Sequence, residues 1–179
     1  LMGHNFDFAM AYDNTNYLFK QTYPDGRTME VARDLMGRTT GISGRFKSIV
    51  YDGGGLIESE TFANGIVKTY QYDKRLRATQ AKEGKVATYN YTYDGSSNPT
   101  AIEQQHGDLS FTNKYTYDAI YRLTQAAVGA DGEELTYGQD KLHNLLTKSS
   151  SLKDKSAAHV GAYQYDGTKI HAATKAGNT

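Results

Sequence analysis

The feature that most constrains this chain is an aspartate that returns at a near-fixed interval, each time closing a run of alternating residues. Gln71-Tyr72-Asp73, Thr92-Tyr93-Asp94, Thr116-Tyr117-Asp118 and Gln164-Tyr165-Asp166 are near-identical, and Ala11-Tyr12-Asp13 and Val50-Tyr51-Asp52 are one step looser. Asp34 and Asp140 keep the acid, while Arg33 and Gln139 stand where the tyrosine would be. The gaps between these eight aspartates are 21, 18, 21, 21, 24, 22 and 26 residues. A period of that length allows one supersecondary unit per copy, and a chain of such units is an array rather than a globule around one centre.

Each unit reads as a hairpin. Asn5 to Tyr12 alternates strictly, with Phe6, Phe8, Met10 and Tyr12 on one side, which is the period of a strand. Tyr23-Pro24-Asp25-Gly26-Arg27 is a tight turn, with proline presetting φ and glycine accepting φ > 0. Asn64-Gly65 predicts a two-residue hairpin tip with positive φ at Asn64, Glu83-Gly84 predicts another, and His106-Gly107-Asp108 a third. The aspartate turns then join one hairpin to the next. Ser149 to Ser156 is too polar for a strand, so a surface loop is expected over 149–158 within an otherwise continuous array over 1–179. No stretch carries a helical period, and the fold class expected is all-β: antiparallel hairpin repeats in a twisted, spiralling, single-layer sheet.

Composition supports this. Fifteen tyrosines and eighteen glycines against two prolines, no cysteine, no tryptophan and 38% hydrophobic residues suit a half-wet pleated sheet better than a thick aliphatic core. Twenty basic and twenty acidic residues, well interspersed, leave no footprint for nucleic acid or an anionic membrane, and no apolar run reaches membrane-spanning length. The start at Leu1 and the stop inside a repeat suggest a piece of a larger parent chain.

Residues two apart share a strand face. Tyr70 with Tyr72, Tyr91 with Tyr93, Tyr115 with Tyr117 and Tyr163 with Tyr165 should therefore line one face, their rings forming ladders from copy to copy, while Thr69, Gln71, Thr88, Asn90, Thr92, Thr112, Lys114 and Thr116 meet water on the other. Each aspartate is expected to cap its own turn by accepting N–H bonds from residues two or three further on. Eight copies of one acid argue for structure rather than catalysis.

Tyr70-Gln71-Tyr72-Asp73 and Tyr115-Thr116-Tyr117-Asp118-Ala119-Ile120-Tyr121-Arg122-Leu123-Thr124 carry a resemblance to the YD-repeat family: Rhs proteins, C components of bacterial Tc toxin complexes and teneurins. The resemblance implies a β-ribbon that spirals into a hollow shell, enclosing a toxin in Rhs and Tc proteins and supporting adhesion in teneurins. It also implies a bacterial protein that is secreted or at the cell surface. The partners implied are the rest of the parent chain and an encapsulated toxin domain or a surface glycan. The aspartate-bearing proline-glycine motif that precedes self-cleavage in the family is absent, so no cleavage residue is assigned. About sixteen strands at about 4.8 Å each make a sheet roughly 80 Å wide, enough to line a container and too little to be one.

Histidines 4, 106, 143, 159 and 171 show no ligand spacing, and His106 and His143 fall in predicted turns. Gly53-Gly54-Gly55 lacks the lysine and helix of a phosphate cradle. Asp131, Glu133 and Glu134 straddle a hairpin turn. No catalytic, cofactor or metal residue is assigned. The alternative to a wall is an adhesive module that stacks sugar rings or a protein on Tyr70, Tyr91, Tyr115 and Tyr163.

Overall fold

The computed structural model describes residues 7–152, 157–165, 167 and 171–177. Among the described residues all regular structure is β, in sixteen antiparallel strands whose order in the sheet follows chain order. The chain forms two compact units, residues 1–86 and 87–179. The first holds β1 (Ala9–Tyr12), β2 (Leu18–Thr22), β3 (Thr28–Arg33), β4 (Thr39–Ile42), β5 (Phe46–Tyr51), β6 (Ile57–Phe62), β7 (Val67–Tyr72) and β8 (Ala78–Glu83). The second holds β9 (Ala87–Tyr93), β10 (Pro99–His106), β11 (Leu109–Tyr117), β12 (Leu123–Val128), β13 (Glu133–Gln139), β14 (Leu145–Ser150), β15 (Gly161–Gln164) and β16 (Lys175–Ala176). In each unit the hairpins expected from the aspartate period follow one another without a crossover.

The two faces differ as the alternation requires. On β7, Lys68, Tyr70 and Tyr72 are half-buried while Val67, Thr69 and Gln71 are exposed. On β11, Phe111, Asn113, Tyr115 and Tyr117 are half-buried while Thr112, Lys114 and Thr116 are exposed. Thr88 and Asn90, expected in water, are half-buried on β9. Full burial is sparse among the described residues of each unit. Tyr70 stands opposite Ala81, and Tyr115 opposite Ala126, which faces Leu135, which faces Ser150. Ala81, Ala126, Leu135 and Ser150 are 4%, 2%, 7% and 6% exposed. A phenol beside an alanine covers it, so a single layer gains a dry seam by setting wide and narrow residues side by side across strands.

The tips depart from the sequence reading in four places. Glu83, expected in a two-residue tip with Gly84, instead ends β8 opposite Lys68. The loop at Asn64 has three residues rather than two: Phe62 N–H donates to Ile66 O and Gly65 N–H to Phe62 O. The positive φ falls on Gly65 (88°) and not on Asn64, whose Oδ1 instead accepts the Ile66 N–H at 3.0 Å. This is a turn followed by a left-handed bulge residue, the usual form of three-residue hairpin loops. His106 belongs to β10, paired with Leu109 across a two-residue tip, and not to a turn. Ser149 and Ser150 complete β14 ahead of the expected loop, because Ser150 finds partners for its backbone and its hydroxyl (Glu133) inside the sheet.

At the aspartate corners the residue three after the acid is left-handed throughout the described copies: Asn16, Gly37, Gly55, Leu76, Ser97, Tyr121 and His143. For leucine and tyrosine that region costs about 1–2 kcal/mol, whereas glycine enters it freely. Leu76 is 65% exposed and so has little packing to lose. Leu76→Gly is expected to stabilise the fold by about 0.5–1 kcal/mol after the entropy of glycine in the unfolded chain is deducted. That corresponds to a rise of about 1–4 °C in a calorimetric Tm.

Candidate functional site

The recurring polar site of this protein is its corner. At Asp73 the backbone N–H donates to Arg77 O and the Leu76 N–H to Asp73 O, both at 3.0 Å. Asp73 Oδ1 accepts the N–H groups of Arg75 (2.8 Å) and Arg77 (3.0 Å), and Oδ2 accepts Arg77 Nε at 2.7 Å. The carboxylate thus binds residues two and four further on, correcting the expected two or three. Asp13, Asp34, Asp52, Asp94, Asp118 and Asp140 repeat the two backbone bonds. Asp166 lies outside the described residues. Oδ2 takes an arginine Nε at Asp34 and Asp118, and the side-chain amide of Asn98 or Asn144 at Asp94 and Asp140.

The tyrosine before each acid closes the open end of its own hairpin. Tyr51 OH donates to Thr39 O (2.8 Å), Tyr72 to Ile57 O (2.8 Å), Tyr117 to Pro99 O (2.9 Å) and Tyr165 to Leu145 O (2.9 Å). In every case the acceptor lies five residues beyond the preceding aspartate. Where glutamine replaces tyrosine, Gln139 Nε2 reaches the equivalent Leu123 O at 3.3 Å. That substitution leaves Gln139 Oε1 buried with no hydrogen-bond partner, and Arg33, the other replacement, leaves its Nε so. Tyr12 at the edge points elsewhere, to Met10 Sδ. Tyr93 ends β9 opposite Pro99.

Between Tyr51 and Tyr72, tyrosines of successive copies, the expected ring-on-ring ladder does not form. Equivalent tyrosines lie two strands apart, and the intervening strand puts Ile57 between Tyr51 and Tyr72. Aromatic contacts among the described residues include Phe8 with Tyr23 (5.9 Å), Phe46 with Phe62 (5.2 Å), Tyr70 with Tyr72 along one strand (6.4 Å), and His106 between Tyr89 (5.4 Å) and Phe111 (6.3 Å). Of the four proposed binding tyrosines, Tyr70 gives its hydroxyl to Glu60 at 2.6 Å, and Tyr91, Tyr115 and Tyr163 are half-buried within β9, β11 and β15.

A second link joins consecutive corners. Arg38, four after Asp34, lies over the ring of Tyr51, one before Asp52, at 4.4 Å. One copy earlier the partners trade places: Tyr17 follows Asp13 by four, and Arg33, before Asp34, lies over its ring at 5.0 Å. The Tyr17 hydroxyl also fills the space that a side chain at Gly37 would need. Sequence reading missed this pair; the signal was present in the offsets of Tyr17 and Arg33 from their aspartates.

The electrostatics follow from these contacts. The Arg122 N–H holds the Asp118 carboxyl below the usual range; partial burial pushes it upward, and the Arg122 side chain helps to outweigh that push. At Asp34, Asp73 and Asp140 partial burial pushes upward, but the donors of Arg38, Arg77 and Asn144 outweigh it and the carboxyls lie low. Burial first, then neighbouring acids, raises Tyr70 and Tyr72, and burial ahead of Tyr115 and Asp94 raises Tyr117. At Asp34, Asp73, Asp118 and Asp140 both carboxylate oxygens are engaged and the anionic form is favoured. Such a group organises backbone and is poorly suited to proton transfer.

With this lattice described, similarity to known proteins can be placed on it. No protein-family model and no curated protein matches the chain. Among solved structures, TcdB2-TccC3 superposes with a TM-score of 0.73 at 21% identity over 87% of this chain. The fold is that of a short stretch of a Tc toxin component. A TcdB2-TccC3-TEV structure gives 0.71 at 22% over 82%, and the Photorhabdus luminescens Tc holotoxin pore gives 0.71 at 21% over 86%. The chain spans about a tenth of the length of these Tc chains (9–10%). The YD-repeat resemblance is thereby borne out in the fold.

Two outcomes test the corner. A depressed native pKa means that the folded state holds fewer protons than the unfolded chain, so its stabilisation is present above about pH 4 and lost as pH falls through the native value. Urea midpoints measured from pH 7 to pH 3 should fall on the acid side, and Asp118→Asn should be less stable at pH 7 with a shallower acid limb. In a double-mutant cycle, Tyr17→Arg and Arg33→Tyr should each destabilise while the exchanged pair recovers most of the loss. A coupling of about 0.5–2 kcal/mol is expected, and additive effects would remove the pairing.

Proposed function

We propose that this chain is a length of β-sheet wall in a larger exported bacterial protein of the Rhs or Tc kind, whose shell encloses a toxin domain. The observation that carries the reading is the superposition on TcdB2-TccC3 over most of the chain. The corner chemistry supports it. The acid side chains accept nearby N–H groups and the tyrosine hydroxyls donate to facing carbonyls, which serves a wall better than a reactive surface. A half-dry tyrosine face opposite a Thr-, Lys- and Gln-rich face gives such a wall two distinct sides. An adhesive face on Tyr70, Tyr91, Tyr115 and Tyr163 has less support, since those rings are half-buried.

Electron microscopy and limited proteolysis of the full-length parent protein test this. The expected result is a hollow particle with this segment in its wall and a C-terminal polypeptide that resists protease until the particle is opened by denaturant. An extended ribbon whose C-terminal part is digested at once would refute encapsulation.

A further inference from the structure

At the outer edge of the first unit the pattern of the interior strands is left incomplete. β1 pairs with β2 alone, and no strand lies beyond it among the described residues. Phe8, Met10 and Tyr12 share one face and are each 53% exposed, whereas Tyr70 and Tyr72, which stand at the places of Met10 and Tyr12 on β7, are half-buried. The hydroxyls differ in the same way. Tyr51, Tyr72, Tyr117 and Tyr165 each donate to a main-chain carbonyl at the start of the preceding strand, at 2.8–2.9 Å. Tyr12 holds the same position before its aspartate, yet its hydroxyl meets Met10 Sδ, a weak acceptor, at 3.5 Å. A phenol so placed fits a strand carbonyl on the open side of β1.

The strand carries nothing to discourage such a neighbour. Ala9-Met10-Ala11-Tyr12 has neither charge nor proline, two of the devices that guard natural sheet edges. Its register shift at Ala11/Tyr12 is the one that β7 and β11 carry at their corners, and both of those strands pair on two sides. The alternation is also self-complementary. Turned about a two-fold axis through Met10 and normal to the sheet, a second β1 sets Tyr12 opposite the second copy's Phe8, Ala9 opposite Ala11, and Met10 opposite itself. Phe8, Met10 and Tyr12 of both copies then form one apolar face across the junction. In that register the Tyr12 hydroxyl comes to the second copy's Ala9 carbonyl, one residue along from the residue it faces. Tyr117 does the same: the β10–β11 register, continued from Ala101↔Lys114, sets it across from Asn98, and it bonds Pro99 O.

We propose that two copies of this chain associate through β1, antiparallel and edge to edge, in a closed two-fold dimer with Met10 at its axis. A contact made by one strand edge is small, which places the dimer among weak, reversible associations. The pairing does not rest on the wall role, so either reading can fail alone.

Sedimentation equilibrium of the whole chain across the micromolar range tests this. A reversible monomer–dimer equilibrium is expected with nothing larger, because a two-fold contact uses each β1 edge once. Met10→Lys and Met10→Glu should each weaken it about tenfold, since like charges then stand directly opposite one another. Mixing the two variants should restore association as a heterodimer, which follows from the Met10-to-Met10 register. Tyr12→Phe should weaken dimerisation about fivefold. Amide spectra unchanged outside β1 and β2 will show that the variants fold. A chain that stays monomeric would overturn the proposal, as would growth beyond the dimer. So would undiminished association of folded Met10→Lys or Tyr12→Phe, or failure of the mixed variants to associate.

Discussion

One interaction underlies the whole structure: a carboxylate oxygen that accepts the N–H groups two and four residues on. Those two donors would otherwise be left unmade where the chain leaves the ladder, and satisfying both with one anion fixes a five-residue turn. The turn has a left-handed fourth residue and shifts the register by one, so that Tyr51, Tyr72 and Tyr117 each face the residue five beyond the aspartate that follows them, namely Ile57, Ala78 and Leu123. The bulge is therefore a consequence of the cap. Because it recurs, every hairpin starts from the same geometry.

That repetition lets a thin sheet cohere. A single layer cannot bury much, and the fully buried apolar residues among those described are small or few: Ile49, Ala81, Ala87, Ala126 and Leu135. Cohesion comes from the hairpin base instead, where a phenol both covers its neighbour and donates to a strand carbonyl. Phenylalanine would cover equally well and leave that carbonyl without its partner, which is why the position carries a hydroxyl. Each such bond nets only about 0.5–1.5 kcal/mol, but it recurs at Tyr51, Tyr72, Tyr117 and Tyr165, with Gln139 supplying an equivalent.

The irregular copies show how much of the pattern is negotiable. Glutamine at 139 keeps the donor and loses half the satisfaction of its amide. Arginine at 33 abandons the bond and keeps the ring contact by exchanging roles with Tyr17. Asparagine can take the place of arginine beside Oδ2, as at Asp94 and Asp140, because only one N–H is needed there. In the last described copy Asn144 is itself buried, and its remaining oxygen meets His171 Nδ1 at 2.9 Å. The acid is the one element common to all the described corners.

From its sequence alone this protein was committed to hairpins of a given length, all antiparallel, with a tyrosine face and a wet face. Local chemistry decides those features: the aspartate period, the two-residue alternation and the glycine-bearing tips. Tertiary structure decided what the tyrosines touch. Strand spacing places an aliphatic or small residue between equivalent rings, so Tyr51 and Tyr72 bind carbonyls where ladders were expected. It also decided that Asn64 caps while Gly65 turns, that His106 and Ser150 are strand residues, and that Tyr17 and Arg33 pair. Each of these depends on a neighbour supplied by another strand or another turn, and no local pattern of residues specifies which neighbour that is.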